Sequence, residues 1–335
     1  MFHTVAVGGD GLEYANCLER GERITMKTKP TKALFCKLMF AASAVLLFAT
    51  GAAASEPPFV DYTMTWQNIT RYYAVYVPSS VLPNPPLLFM LHGTHYNAPP
   101  PINLNWGWQK LADRHGFVLI QPAATYDPIT NTWNWNAYSF DGAFPYMSPP
   151  PDDSGFLRQL ITNLIAQYHA DPKRIYVAGF STGAQMAQRV GVEISDLVAA
   201  VVPMSGPIVA QPVLPITLPG PPVAPVSVQE WHGTADVNVG PCDNAPEKIN
   251  KLKLLLSTVD DSFNYWVQQN ACTQLENQQP LCLNGLPNPA STGNDATGCT
   301  NNVEVQFVWE PNVGHQEVQS NNRARWAFMA AHPKP

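Results

Sequence analysis

The sequence is poor in charged residues, and those it has are not clustered. Only 13% of its residues are Asp, Glu, Lys or Arg, and its formal net charge is -6. No basic cluster occurs after residue 54. Nucleic acids and anionic membrane surfaces attract proteins through dense positive charge, so this composition argues against both as partners. Neutral or aromatic partners are favoured instead.

Long apolar runs are also missing, which decides how the N-terminal region is interpreted. A basic segment, Lys27–Lys37, precedes the apolar run Leu38–Phe48, and Ala52–Ala54 supplies the small residues of a cleavage site. The apolar run is too short for a transmembrane anchor, and no basic stop signal follows it. We therefore expect a signal peptide over residues 26–54, preceded by an upstream extension, residues 1–25, that is not native. This predicts a secreted or periplasmic protein.

Cysteine is scarce, and its spacing argues against a common kind of metal site. Four cysteines remain after residue 54, and they include no CxxC pair of the kind that binds zinc. An even number of cysteines in an exported protein instead favours disulfides. We expect no metal and no other cofactor.

Residues 55–335 contain neither a linker nor an internal repeat, and they are long enough for one large domain, expected as a monomer. Short apolar runs such as Leu87–Leu91 and Phe117–Ile120 fit buried strands of a parallel sheet, and Leu197–Val202 is also strand-like. Helical patterns between them predict βαβ units, so the fold class is α/β. Residues 203–225 are rich in proline, which predicts a surface excursion outside the sheet. Residues 273–302 are predicted to form a polar insertion.

A GxSxG pattern lies where one of these apolar runs becomes helical. Gly179 and Gly183 flank Ser181, as expected for a sharp turn from a strand into a helix that leaves the serine hydroxyl exposed. The first N–H groups of the helix then point to the place where an oxyanion would develop. The pattern predicts that Ser181 is a nucleophile.

A serine nucleophile needs a base to accept its proton and an acid to orient that base. Asp236 and His315 each follow a predicted strand, and the order Ser181, Asp236, His315 is typical of α/β-hydrolases. Because parallel strands end at the same edge of a sheet, we expect the three to meet as a catalytic triad. Other histidines fall at helix ends, in a candidate oxyanion loop or beside Asp236: His92, His115, His169 and His232. The competing aspartates lie in or beside helices: Asp196, Asp260 and Asp261.

Two further groups of residues are predicted to contact the substrate. The backbone N–H groups of Thr94 and Thr182 are expected to form the oxyanion hole, since Thr94 follows a strand end and Thr182 follows the nucleophile. An aromatic stretch rich in Asn, Asp, Gly and Pro fits a surface loop that binds substrate, with core packing as the alternative. Its candidate contacts are Trp133, Trp135, Tyr138 and Tyr146.

Several motifs together resemble the secreted polyhydroxybutyrate depolymerase and feruloyl esterase family. They are His92-Gly93, Trp108 to Phe117, Trp133-Asn-Trp135, Asp152-Asp153 with Gly155 to Leu157, Gly179 to Ala184, His232 to Asp236, and Gly314-His315. The resemblance implies an α/β-hydrolase fold with helices on both faces of a mostly parallel sheet, and serine esterase activity without a metal. Two positions differ from the family pattern. Thr94 stands where members often have Cys, and Gln316-Glu317-Val318 stands where they have Trp-Pro-Gly.

The resemblance also bears on the disulfides. Pairing of Cys272 with Cys299 would close the polar insertion and is also what the family implies, which leaves Cys242 to pair with Cys282.

The expected function is a secreted serine carboxylic-ester hydrolase that works through an acyl-enzyme. Its expected substrates are feruloyl or acetyl esters of plant polysaccharide, or short hydroxyalkanoate oligoesters. The alternatives are a polyhydroxybutyrate depolymerase, a peptidase of the same fold and an inactive hydrolase fold that serves as a binding module.

Overall fold

The structure, a computed structural model, describes residues 58–96, 99–137, 150–209, 219–242, 257–277 and 279–335. The predicted signal peptide and upstream extension lie outside these residues, as do Tyr138 and Tyr146. By their contacts, residues Ala54–Pro335 group as one compact unit. None of the helices in the described ranges is long and apolar enough to span a membrane.

The central sheet opens with an antiparallel pair and continues as parallel strands. The pair is β1 (Val60–Trp66) and β2 (Ile69–Tyr76). The parallel strands are β3 (Leu87–Leu91), β5 (Val118–Pro122), β8 (Ile175–Phe180), β9 (Ala200–Met204), β10 (Ser227–Gly233) and β15 (Val305–Glu310). Two short strands, β14 (Gly293–Thr297) and β11 (Gln274–Glu276), close the other edge antiparallel. The order is β1-β2-β5-β3-β8-β9-β10-β15-β14-β11.

Helices cover both faces of this sheet because the strands present apolar side chains on both sides. Among the described residues, the α-helices are α1 (Trp108–His115), α2 (Asp153–Tyr168), α3 (Thr182–Glu193), α4 (Val259–Gln269) and α5 (Asn322–Ala331). On β3, Leu87 and Phe89 pack in the cluster with α2, α3 and α4, whereas Leu88 and Met90 pack in the cluster with α1 and α5. The predicted α/β-hydrolase architecture is confirmed.

Smaller elements flank the sheet. β4 (His95–Tyr96), β7 (Thr132–Asn134) and β6 (Thr125–Asp127) form a three-stranded sheet that follows the end of β3. β12 (Cys282–Leu283) pairs with β13 (Leu286–Pro287). Disulfides join Cys242 to Cys282 and Cys272 to Cys299.

One expectation about the sheet was wrong. Pro203 lies inside β9, opposite Gly179, although the proline-rich segment was expected to stay outside the sheet. The ladder between β9 and β10 is interrupted there and resumes at Met204 opposite Trp231, so a residue without an N–H group is tolerated. The polar insertion contributes β11 and β14, because pairing with β15 fixes residues of low intrinsic strand propensity.

Candidate active site

Ser181 occupies a sharp turn between β8 and α3. Its φ of 56° and ψ of -121° are unusual for a residue with a side chain, and its N–H donates to Met204 O over 2.9 Å. The flanking glycines are sterically required. A Cβ on Gly179 would lie 2.1 Å from Gly183 O, and a Cβ on Gly183 would lie 2.3 Å from Leu91 O. The GxSxG pattern thus produces the strained turn that presents the serine hydroxyl.

His315 joins Ser181 to Asp236. Its Nε2 lies 2.9 Å from Ser181 Oγ, and its Nδ1 lies 2.8 Å from Asp236 Oδ2. The three residues follow β8, β15 and β10, which are parallel strands that end at one edge of the sheet. The structure therefore brings together the nucleophile, base and acid predicted from the sequence.

Both oxygens of the Asp236 carboxylate have hydrogen-bonding partners. Oδ1 accepts the backbone N–H groups of Asn238 and Val239, each over 2.9 Å. Oδ2 faces His315 and also His232, whose Nε2 lies 3.3 Å away. Burial alone would raise the pKa of Asp236, but hydrogen bonds from His232, His315 and the Val239 N–H hold that pKa well below its usual range. The carboxyl group therefore stays ionised and able to orient the histidine.

The predicted oxyanion residues come from two segments that lie side by side. Thr182 is the first residue of α3, where N–H groups have no partner within the helix. Thr94 Oγ1 lies 3.4 Å from Thr182 Oγ1 and 3.2 Å from Asn134 Oδ1. A Cβ on Gly93 would lie 3.0 Å from Ser181 Cβ, so this glycine lets the two segments approach.

A buried histidine shapes this oxyanion segment. His92 Nε2 accepts the Ala124 N–H over 3.0 Å, so its Nδ1 carries the proton and donates to Gly93 O over 2.5 Å. Burial lowers the pKa of His92 to about 3, which keeps the ring neutral. Trp135 Nε1 donates to His92 O over 2.8 Å. The sequence placed His92 in this segment, but it gave no sign of these contacts.

The predicted substrate contacts Trp133 and Trp135 need correction. Trp135 is 0% exposed and Trp133 is 6% exposed, so neither offers a free stacking face. Trp135 belongs to the main apolar core, and Trp133 packs against the rings of Tyr72 and Tyr126. Polar neighbours favoured a surface loop, but the indoles of Trp133, on β7, and of Trp135, just after β7, both turn inwards. Of these two residues, Trp135 instead supports the segment that carries Thr94.

The competing aspartates have other partners. Asp196 pairs with Arg158, Asp260 accepts the N–H groups of Leu281 and Cys282, and Asp261 forms a capping box at the start of α4. Within the described ranges, no group of three or more His, Cys, Asp or Glu side chains has an arrangement that could hold a metal ion.

A second buried acid lies in the core on β10. Glu230 Oε2 accepts from Ser262 Oγ over 2.6 Å and from Gln188 Nε2 over 3.2 Å. Burial raises the pKa of Glu230 to about 8, which outweighs the opposing effect of these hydrogen bonds. At neutral pH this carboxyl group is therefore mostly protonated. Nothing in the sequence indicated that Glu230 differs from an ordinary surface glutamate.

The raised pKa of Glu230 predicts that the free energy of unfolding depends on pH. The pKa of Glu230 rises from an ordinary 4.5 to about 8 on folding, so protonation stabilises the folded chain. Its contribution is complete below pH 4.5 and is lost as the pH rises through about 8, by at most about 1.4 kcal/mol per pH unit. Glu230→Gln stays neutral and should remove this slope from the free energy of unfolding, measured with urea between about pH 5 and about pH 8. The exposed Glu276→Gln should keep the wild-type slope, and an unchanged slope in Glu230→Gln would contradict the assignment.

The parallel sheet with helices on both faces and the strained serine turn define the α/β-hydrolase class. Within it, the sequence model described as "Esterase PHB depolymerase" matches residues 71–216. A bifunctional acetylxylan esterase/xylanase of Neocallimastix patriciarum is 26% identical, over 79% of this chain and 34% of its own length. A poly(3-hydroxybutyrate) depolymerase of Ralstonia pickettii is 29% identical, over 47% of this chain and 33% of its own. These matches confirm the predicted resemblance.

A feruloyl esterase B of Piromyces equi is 24% identical, over 66% of this chain and 37% of its own length. The chain thus spans about a third of the length of these curated relatives. Among solved structures, poly(aspartic acid) hydrolase-1 from Sphingomonas sp. KT-1 has a TM-score of 0.53 at 14% identity, covering 82% of this chain and 99% of its own. The LpqC poly(3-hydroxybutyrate) depolymerase of Bordetella parapertussis has a TM-score of 0.51 at 14% identity, covering 83% and 91%. These structures share the fold.

Proposed function

We propose that the protein is a serine carboxylic-ester hydrolase in which Ser181, His315 and Asp236 form the catalytic triad. The observation that carries this proposal is His315, which has Nε2 2.9 Å from Ser181 Oγ and Nδ1 2.8 Å from Asp236 Oδ2. This is the geometry that activates a serine hydroxyl, which is almost fully protonated at neutral pH. Esterases and depolymerases among the relatives support the same reaction class.

In the proposed reaction, Ser181 Oγ attacks the ester carbonyl while His315 Nε2 takes its proton. The carbonyl oxygen becomes an oxyanion, which the N–H groups of Thr94 and Thr182 stabilise. His315 then gives the proton to the leaving alcohol, and the C–O bond to that alcohol breaks to leave an acyl-enzyme. Water then gives a proton to His315 Nε2 and attacks the acyl carbon. The bond from that carbon to Ser181 Oγ breaks, His315 returns the proton to Oγ, and the acid is released. Asp236 remains ionised throughout and fixes the histidine tautomer.

We propose feruloyl or acetyl esters of plant polysaccharide, or short hydroxyalkanoate oligoesters, as substrates. Relatives carry the names acetylxylan esterase, feruloyl esterase and poly(3-hydroxybutyrate) depolymerase, which support this range. The low charge of the chain suits neutral polymers of these kinds. Tyr138 and Tyr146 are retained as candidate contacts for an aromatic acyl group or a sugar ring.

We also propose that the protein acts outside the cytoplasm, after cleavage of a signal peptide over residues 26–54. The disulfides Cys242–Cys282 and Cys272–Cys299 support this location because disulfides persist in oxidising compartments.

The function is tested with one panel of substrates: methyl ferulate, acetylated xylan, hydroxybutyrate oligomers, a long-chain lipid ester and a peptide. We expect hydrolysis of at least one of the first three by the wild type and of none by Ser181→Ala. Preferred cleavage of the lipid ester would contradict the proposed substrate class, and preferred cleavage of the peptide would identify a peptidase. Activity on none, without labelling of Ser181 by a fluorophosphonate, would identify an inactive binding module.

A further inference from the structure

The loop that carries His315 connects β15 to α5, and its first half is tied to the turn of the acid. Ala235 N–H donates to Val313 O over 2.9 Å, and Asn312 N–H donates to Thr234 Oγ1 over 2.8 Å. These bonds fix the backbone on the N-terminal side of His315. Side chains from another element hold the C-terminal side of the loop.

Arg325, on α5, bonds to both ends of this loop. Its Nη2 donates to Glu310, the last residue of β15, over 2.7 Å. Its Nη1 lies 3.1 Å from Glu317 Oε1, 3.0 Å from Val318 O and 2.9 Å from Asn322 Oδ1. One guanidinium group therefore joins the residue before the loop to the residues that follow His315.

The cluster of Arg325, Glu310 and Glu317 is almost completely buried, with Arg325 0% exposed. Burial lowers the pKa of Arg325 and raises the pKa of Glu317 to about 7, despite the attraction between them. Glu317 faces Arg325, Glu310 and the amide of Asn322. Buried ion clusters of this kind add little stability compared with well-packed apolar side chains. Fixing the loop that carries His315 therefore explains why these charged side chains are buried better than a contribution to stability does.

We propose that Arg325 and Glu317 are positioning residues that hold His315 within reach of Ser181. This role rests on the proposed function, in which His315 is the general base. Glu317 lies two residues after His315, so the contact between Glu317 and Arg325 restrains the backbone close to the imidazole. This role also explains the presence of Glu317 in the segment Gln316-Glu317-Val318, which differs from the family pattern.

The expected effect falls on the chemical step more than on binding. In the proposed reaction His315 Nε2 accepts the proton of Ser181 Oγ, which lies 2.9 Å away, and such transfers tolerate little displacement. Misplacement of a catalytic group by about 1 Å can cost up to about a hundredfold in rate. Loosening the loop should therefore lower kcat while KM changes little.

The first test is Arg325→Lys, which keeps the charge but loses the planar fork. A lysine ammonium cannot reach Glu310, Glu317, Val318 O and Asn322 in the same geometry. We expect kcat for p-nitrophenyl acetate to fall about tenfold or more, with KM within about twofold of the wild type. Active sites are counted by fluorophosphonate labelling to completion, so that kcat refers to folded, competent protein.

The second test changes the other partner and does not leave a buried carboxylate unpaired. Glu317→Ala removes the contact with Arg325 Nη1 and should lower kcat per active site about tenfold. Glu317→Gln keeps an oxygen that accepts from the guanidinium, so it should restore kcat to within about twofold of the wild type. A purely structural role would lower the melting temperature of Glu317→Ala without this loss and recovery of kcat.

Arg158→Lys is the matched control. Arg158 also forms a two-pronged contact with a carboxylate, Asp196, but its side chain is 38% exposed and lies away from the triad. It should keep wild-type kcat. Wild-type kcat in both Arg325→Lys and Glu317→Ala, with Ser181→Ala inactive, would overturn the positioning role alone. Activity in Ser181→Ala would instead overturn the proposed function.

Discussion

Replacing Ser181 with alanine is expected to lower kcat for ester hydrolysis by about five to six orders of magnitude while the protein remains folded. The change removes the hydroxyl that lies 2.9 Å from His315 Nε2, so no acyl-enzyme can form in the proposed mechanism. The backbone turn and the proposed oxyanion hole, formed by the N–H groups of Thr94 and Thr182, remain, and the residual rate is expected to come from them. Steady-state hydrolysis of p-nitrophenyl acetate and the mass of the fluorophosphonate-treated protein measure the two effects.

Ser154→Ala is the control for this experiment. Ser154 is a buried serine on α2, outside the triad, and its replacement should leave kcat unchanged. His315→Ala should be nearly as inactive as Ser181→Ala, and the double variant should be no worse than either, because triad members act as a unit. Retention of more than about a tenth of the activity in Ser181→Ala would reject Ser181 as the nucleophile.

The grouping of the triad could be predicted because it depends on topology more than on packing. Ser181, Asp236 and His315 are far apart in the sequence, but each follows a strand of the parallel sheet. Parallel strands end at the same edge of a sheet, so the strand pattern alone predicts that the three residues lie close together. Glycines around Ser181 added a local sign, because only the smallest residue fits so close to the backbone.

The direction of side chains could not be predicted in the same way. Trp133 and Trp135 lie among polar residues, and composition favoured a surface loop. Their burial depends on how β7 packs against the rest of the chain, which no local pattern records. The same limit applies to His92, because its partners Ala124 and Trp135 are 32 and 43 residues away in the sequence.

Strand assignment failed where long-range pairing overrides local preference. β14 contains Gly293 and polar residues and has no alternating apolar pattern, but β15 supplies its hydrogen-bonding partner. Pro203 is accepted in β9 because the adjacent ladder is interrupted. In contrast, β3 was predicted with the right bounds because a continuous apolar run is typical of a strand buried on both faces.

Replacing Asp236 with asparagine is expected to lower kcat by about three to four orders of magnitude with the fold intact. The geometry determines how the amide must sit. Oδ1 of Asp236 accepts two backbone N–H groups, from Asn238 and Val239, so the amide oxygen takes that position. The amide NH₂ then faces His315 Nδ1, where the wild type has an acceptor. His315 must place its proton on Nε2, which then donates to Ser181 Oγ and cannot accept its proton.

Asp260→Asn is the matched control for the loss of a charge. Asp260 also accepts two backbone N–H groups, from Leu281 and Cys282, each over 2.8 Å, but it lies outside the triad. Its replacement should lower the melting temperature slightly and leave kcat unchanged. Asp236→Asn should still bind a substrate analogue with wild-type affinity, since the change disturbs a tautomer and leaves the pocket in place. If Asp236→Asn keeps kcat within about tenfold of the wild type, another residue orients His315 and Asp236 is not the acid of the triad.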